Sequence, residues 1–146
     1  GPTVMKEYYK NEKATNEAMK GGWFHSGDLV RMDNDGYIYI VDRKKDMIIS
    51  GGENIYPKEL EEVLFNHPAI FEAAVIGVPD PKWGETVKAF IVLKPNAQLT
   101  EQEVINYCSE NLASYKKPRV IVFIESLPRN ASGKVLKTVL REEKVY

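Results

Sequence analysis

The sequence predicts an α+β fold, a small mixed sheet with helices packed on it, preceded by a β-hairpin. Three observations predict it. Residues 29–41 hold two short alternating runs around an Asp33-Asn34-Asp35-Gly36 turn, the pattern of a hairpin. Leucine and valine then recur at helical spacing after Pro57, after Thr100 and after Lys134. Between those stretches lie short runs rich in valine, isoleucine and phenylalanine. The resulting order is β, β, α, β, β, α, β, α.

Residues 1–22 are polar, with few large apolar groups, and are expected to form a weakly packed, helix-tolerant extension that Gly21 and Gly22 end. The hairpin that follows is marginal by itself in water and needs a partner surface. Pro57 suits the first position of a helix, where its missing N–H costs nothing. Leu60, Val63 and Leu64 share one face of that helix, and His67-Pro68 stops it. Residues 71–78 read as an apolar strand. In residues 86–94, Val87, Ala89, Ile91 and Leu93 alternate with Phe90 and Val92, so this strand should be covered on both sides. Thr100 and Glu103 make a capping box for a helix carrying Val104, Tyr107, Cys108 and Leu112 on one side. A basic connector (Lys116, Lys117, Pro118, Arg119) leads to a strand at residues 120–125. A loop presents Lys134, and Val135, Leu136, Val139 and Leu140 suggest a last helix.

Residues 42–57 organise the rest. Asp42, Arg43, Lys44, Lys45 and Asp46 run together, followed by Met47, Ile48 and Ile49 and a polar turn of Ser50, Gly51, Gly52, Glu53 and Asn54. A solvated charged run is a natural place for the chain to change direction. Adjacent glycines open backbone conformations closed to other residues and admit a ligand close to the main chain. Taken alone, the stretch reads as a surface turn between two strands.

Composition narrows the class. With 43% hydrophobic and 28% charged residues the chain is globular, not disordered. Twenty basic against 21 acidic residues argue against nucleic acid as the partner. Cys108 stands alone, so no intrachain disulfide forms, and on an apolar helix side it is expected to be buried and inert. No apolar run approaches the roughly 20 residues of a membrane helix, and residues 1–20 show no signal-peptide pattern. A soluble cytoplasmic protein with no membrane span is expected. The Pro128-Arg129-Asn130-Ala131-Ser132-Gly133-Lys134 loop fails the Walker pattern, because Pro128 stands where its first glycine belongs and Val135 where Ser or Thr belongs. What survives is a lysine on a glycine-containing loop, able to meet an anion.

Taken together, four separated motifs occur in the order and approximate spacing of the adenylate-forming superfamily. They are Trp23-Phe24-His25-Ser26-Gly27-Asp28; Gly36-Tyr37 with Asp42-Arg43-Lys44-Lys45-Asp46; Ser50-Gly51-Gly52-Glu53-Asn54-Ile55-Tyr56-Pro57 with Glu59 and Glu61; and Pro128 to Lys134. The chain resembles the carboxy-terminal domain of an acyl-CoA synthetase of that superfamily, with Ser26 where the family often has Thr. The resemblance implies three parts: residues 1–41 as the tail end of the amino-terminal AMP-binding domain, 42–46 as a hinge, and 47–146 as the mobile carboxy-terminal domain.

It also implies roles. Asp28 would accept hydrogen bonds from the ribose hydroxyls, and Arg43 would reach the same nucleotide. Lys45 would be the hinge, with Lys44 the neighbouring candidate. Ser50, Gly51, Gly52 and Glu53 would line the pantetheine path of CoA. Lys134 would stabilise charge during adenylation. The implied activity joins a carboxylate to AMP with loss of pyrophosphate and then passes the acyl group to CoA. ATP with Mg would be a substrate of the full-length enzyme, no residue of this chain would bind metal, and no ligand is expected to bind this piece tightly. Residues 51–57 look most similar to fatty-acyl and related medium- or long-chain ligases. The phosphate loop and acyl pocket would lie in a missing amino-terminal domain, so the chain alone is expected to be inactive. Residues 1–41, having lost their cover, would be open to self-association. Two alternatives stand beside this: a non-catalytic interaction module that kept the fold, and an adenylate-forming enzyme that uses a carrier protein in place of CoA.

Overall fold

The computed structural model describes residues 1–142, and its chain divides into two compact units, Gly1–Lys45 and Asp46 onward. In the first unit Asn11 caps helix α1 (Glu12–Ala18) by accepting the Ala14 N–H on its side chain at 3.0 Å. The helix buries no residue, which is why hydrophobic periodicity did not reveal it. Strands β1 (Asp28–Met32) and β2 (Ile38–Arg43) pair antiparallel as expected. At their turn Asp33 Oδ1 accepts the Asp35 and Tyr37 N–H groups at 3.0 and 2.9 Å, and Gly36 takes a positive φ. Val30, Met32, Ile38 and Ile40 of this hairpin are all more than half exposed.

The second unit is built on one mixed sheet. Strands β3 (Ile48–Ser50) and β4 (Glu53–Ile55) form a tight hairpin that adds two strands to the expected order. Helix α2 (Pro57–Phe65) starts on its proline and buries Leu60 and Leu64. Strand β5 (Ile70–Asp80) pairs antiparallel with β6 (Gly84–Leu93) along nearly its whole length. On the other side of β6, Ser50 of β3 meets Gly84, and β7 (Val120–Phe123) pairs in parallel with Lys88 through Ile91. Helix α3 (Glu101–Asn111) supplies the crossover that a parallel pair requires. Its Thr100–Glu103 capping box is formed, with the Thr100 N–H donating to Glu103 Oε2 at 2.8 Å.

Two apolar layers flank the sheet. Val87, Ala89 and Ile91 face α2 and α3 together with Ile48, Leu60, Val104 and Cys108. Phe90 and Val92 face the opposite layer, where Leu127 from the loop after β7 and Leu140 from helix α4 (Lys137–Glu142) close the core. The two-sided burial of β6 follows from its apolar run Ala89–Leu93, although Thr86 and Lys88 of the same strand are buried too. His67 ends α2 and packs edge-on to Tyr107 of α3, ring centroids 4.7 Å apart, a structural role. Among the described residues no helix is long and apolar enough to cross a membrane.

Candidate functional site

Asp28 opens β1 and Arg43 ends β2, and the antiparallel register sets them opposite each other. Arg43 Nε donates to Asp28 Oδ1 at 3.0 Å, while the Asp28 N–H donates to Ser26 Oγ at 3.2 Å. With side chains 47% and 21% exposed, the pair lies at the surface. A solvated ion pair is worth about 0–1 kcal/mol. A ligand offering hydroxyls to the carboxylate and an anion to the guanidinium therefore opens it at small cost.

The charged run is anchored at two points. The Lys44 N–H donates to the Gly27 carbonyl at 2.8 Å, which fastens Lys44 to the first unit. Arg141 Nη2 on α4 donates to Asp46 Oδ1 at 2.8 Å, which fastens Asp46 to the second. Lys45 lies between the two anchors, in a single 3-10 turn that spans Lys44–Asp46.

Only Gly51 and Gly52 form the turn of the β3–β4 hairpin; Ser50 and Glu53 are the strand residues paired across it. The glycines adopt φ of 59° and 88°, the two positive values of a two-residue hairpin turn. Gly51 donates its N–H to the Trp83 carbonyl at 2.9 Å, and a Cβ on Gly51 would stand 2.7 Å from Trp83 Cε3. Gly52 has nothing within 4 Å of the same position. Thus Gly51 is needed for close packing as well as φ, and Gly52 keeps open space beside the backbone. The Trp83 ring carries Lys82 Nζ 4.7 Å and Arg119 Cζ 5.1 Å from its centroid. Asp80 Oδ1 fixes this corner by accepting the Lys82 and Trp83 N–H groups, each at 2.8 Å. Glu85 Oε2 accepts the Ile49 N–H at 2.8 Å and ties β3 to the start of β6.

Residues 128–136 fold into a closed turn. Arg129 and Val135 form an antiparallel bridge, and the Leu136 N–H donates to the Pro128 carbonyl at 2.8 Å. Asn130 Oδ1 accepts from the Ser132 N–H, the Ser132 hydroxyl and the Lys134 N–H at 3.1, 2.8 and 2.9 Å. Gly133 completes it at φ 81°. Lys134 is exposed at the end of this turn, and its ammonium pairs with no carboxylate of the described residues. Lys116 and Lys137 differ, being bound to Glu59 and Glu61 at 2.6 and 2.7 Å. The arrangement presents one cation from a turn whose shape is set by its own hydrogen bonds.

Asp28 and Arg43 are therefore brought together in the first unit. The Gly51-Gly52 turn and the Lys134 turn are separate features of the second. Of the basic connector, Lys116 is a structural partner of α2, and Arg119 stacks on Trp83. Sequence reasoning passed over Trp83, although a tryptophan in a loop with Pro79, Pro81 and Gly84 has little reason to be there without a packing or binding role. It also missed the buttressing carboxylates Glu72 and Glu85, and it noted Glu61 without giving it a partner. No group of three or more His, Cys, Asp or Glu side chains among the described residues could hold a metal ion.

Residues 59–134 match the family described as AMP-binding enzyme C-terminal domain. The long-chain-fatty-acid–CoA ligase FadD13 of Mycobacterium tuberculosis is 51% identical over 140 residues, covering 96% of this chain and 28% of that protein. The 2-succinylbenzoate–CoA ligase of Bacillus mycoides is 50% identical over 142 residues, with 97% and 29% covered. Among solved structures, the o-succinylbenzoate CoA synthetase of Bacillus subtilis in complex with its acyl-adenylate intermediate superposes with a TM-score of 0.89 at 46% identity, covering 99% of this chain and 29% of that one. The chain thus spans less than a third of the length of the curated relatives it matches.

Proposed function

Because the chain belongs to the AMP-binding enzyme C-terminal domain family, we propose that it is the carboxy-terminal part of an ATP-dependent acyl-CoA ligase. Such an enzyme joins a carboxylate to AMP with release of pyrophosphate, then transfers the acyl group to the thiol of CoA. The observation that carries this reading is the Lys134 turn. A cation held on a self-bonded turn, and paired with no described carboxylate, suits an acceptor whose negative charge grows in the transition state. As the carboxylate oxygen attacks the α-phosphate, the Lys134 ammonium would lie against the carboxylate and phosphate oxygens. It would stabilise charge without transferring a proton.

The remaining residues take roles that fit their surroundings. Asp28 would accept the ribose hydroxyls, and Arg43, released from this surface pair at small cost, would reach the nucleotide with its fork. Lys45 would be the pivot between an amino-terminal domain, to which residues 1–41 belong, and the body from residue 47 onward. The anchors at Lys44 and Asp46 favour Lys45 over Lys44. In the second step Ser50, Gly51, Gly52 and Glu53 would line the pantetheine path, with Gly52 leaving the open space. Lys82 and Arg119, held over the Trp83 ring, offer two cations to the nucleotide end of CoA. A medium- or long-chain fatty acid is the favoured carboxylate, in keeping with the name of the 51% identical relative. The partner that completes the site is the amino-terminal domain, which would also cover the exposed hairpin face; without it the chain is inactive. The reaction would take place in the cytoplasm, where ATP and CoA are both present.

The test is Lys134→Ala in the complete ligase polypeptide that carries this chain. Adenylate formation, followed by pyrophosphate release, should slow by about 10²- to 10³-fold. Thioester formation from supplied acyl-adenylate should keep its rate. An equal loss in both steps would overturn the assignment.

A further inference from the structure

We propose that Arg129 is a positioning residue that fixes the Lys134 turn against strand β5; this rests on the assignment of Lys134 to adenylate formation. One guanidinium makes two connections. Its Nη1 donates to the Gly133 carbonyl at 2.6 Å, inside the turn, and its Nη2 donates to Glu72 Oε1 at 2.8 Å, on β5. Glu72 is paired through the backbone with Val92 of β6, so it belongs to the rigid sheet. A planar fork that satisfies both acceptors at once sets the direction of the turn as well as its distance from the strand.

A second tie holds the other end. Lys137, just past the turn, meets Glu61 Oε1 at 2.7 Å, and the same oxygen accepts the Val75 N–H of β5 at 2.9 Å. Glu61 comes from α2 on one face of the sheet and Lys137 from α4 on the other. The pair therefore clasps the two layers around β5, the terminal strand of the sheet order. Lys134 stands between these fastenings in sequence. The charges of Arg129 and Lys137 are matched by Glu72 and Glu61, while that of Lys134 meets no carboxylate among the described residues. A charge-stabilising group acts through its fixed position, and displacement of about 1 Å can cost 10²-fold in rate.

Arg129→Gln, Arg129→Lys and Glu72→Gln test the proposal, with Lys134→Ala alongside. In the chain, ¹⁵N relaxation should show the Lys134 backbone order parameter dropping from about 0.85 to below about 0.6 in Arg129→Gln. In the complete ligase the same variant should lower kcat for adenylation by about 10- to 100-fold. KM for ATP and carboxylate should not change, and thioesterification of supplied acyl-adenylate should be retained. Arg129→Lys, which keeps a charge for Glu72 but lacks the fork, should fall between wild type and Arg129→Gln. Glu72→Gln should reproduce part of the loss with the turn's internal bonds intact. An unchanged order parameter overturns the proposal, as does a loosened turn with undiminished kcat. Lys134→Ala separates the two claims. If it leaves adenylation at full rate, the assignment of Lys134 falls; if it is slow while Arg129→Gln is fast, only the positioning role falls.

Discussion

Replacing Gly51 by alanine tests why the hairpin tip is built from two glycines. At φ 59° an L-residue gives up about 1–2 kcal/mol. The new Cβ would also stand 2.7 Å from Trp83 Cε3. The ring cannot yield cheaply, because Asp80 holds the Lys82 and Trp83 N–H groups and the Gly51 N–H is bonded to the Trp83 carbonyl. Overpacking of this kind costs about 1–3 kcal/mol, so Gly51→Ala should destabilise by about 2–5 kcal/mol in all. Gly52→Ala, at φ 88° with nothing within 4 Å, should meet only the backbone cost. Thermal unfolding of the two variants gives the comparison, since each kcal/mol moves Tm by about 4–8 °C in a domain of this size. A double-mutant cycle with Trp83→Ala isolates the clash and should return a coupling of about 1–3 kcal/mol. Equal melting of Gly51→Ala and Gly52→Ala, or a cycle that closes to zero, would refute the packing argument. Slowed thioesterification in Gly52→Ala without a matching loss of stability would assign that glycine to CoA.

Lys45→Pro should impair thioester formation more than adenylation, because proline fixes φ at the residue between the two anchors; assaying the half-reactions separately decides it, and the reverse pattern refutes the pivot. Burial pushes the Cys108 thiol from an ordinary 9.0 up to about 11. The native chain should therefore react slowly with thiol reagents near neutral pH and quickly in denaturant. The stability gained by keeping that thiol neutral holds below the unfolded value and is lost as pH rises through about 11, which alkaline melting curves would record. The Thr100 N–H, followed by its hydroxyl, holds the Glu103 carboxyl below its ordinary 4.5. The capping contribution is therefore present above that value and disappears as pH falls through the lowered one. Glu103→Gln should flatten part of the acid limb of a stability–pH profile, and an unchanged limb would show the box to be unimportant.

What could be read before the structure was whatever depends on neighbours in sequence. Val87, Ala89 and Ile91 against Phe90 and Val92 announced a strand buried on both faces, because each face carries its own period-two signal. The Thr100–Glu103 box was legible because both partners lie within one turn of helix. Strands β3 and β4 escaped because three residues are too few for periodicity, although Gly-Gly between Ser50 and Glu53 is a recognised hairpin signal. Helix α1 escaped for the opposite reason, having no buried face to mark it. For the site, the chemical types were legible from the motifs and their supports were not. The Arg129–Glu72 and Lys116–Glu59 pairs each join residues 57 apart in sequence. Such pairs exist only once β5 and the helices are in place.

The two anchors in the charged run bear on what a pivot must be made of. A hinge residue absorbs dihedral change, so its neighbours have to be held more firmly than it is. Five consecutive charges alone do not identify that residue, since all of them are compatible with solvent. The Gly27 carbonyl on Lys44 and the Arg141 guanidinium on Asp46 hold the residues on either side of Lys45, which is what the proposed pivot requires. The Asp46 side chain is only 13% exposed, so its ion pair should resist opening better than those at the open surface. Arg141 sits at the end of α4, the helix that follows the Lys134 turn. The contact that holds Asp46 is therefore made by the same element that Lys137 clasps to α2. Rotation about Lys45 would then carry the Lys134 turn and the Gly51-Gly52 turn as parts of one rigid body, with neither sliding past the other. Under the proposed function, a single pivot of that kind would exchange the Lys134 cation for the open backbone beside Gly52.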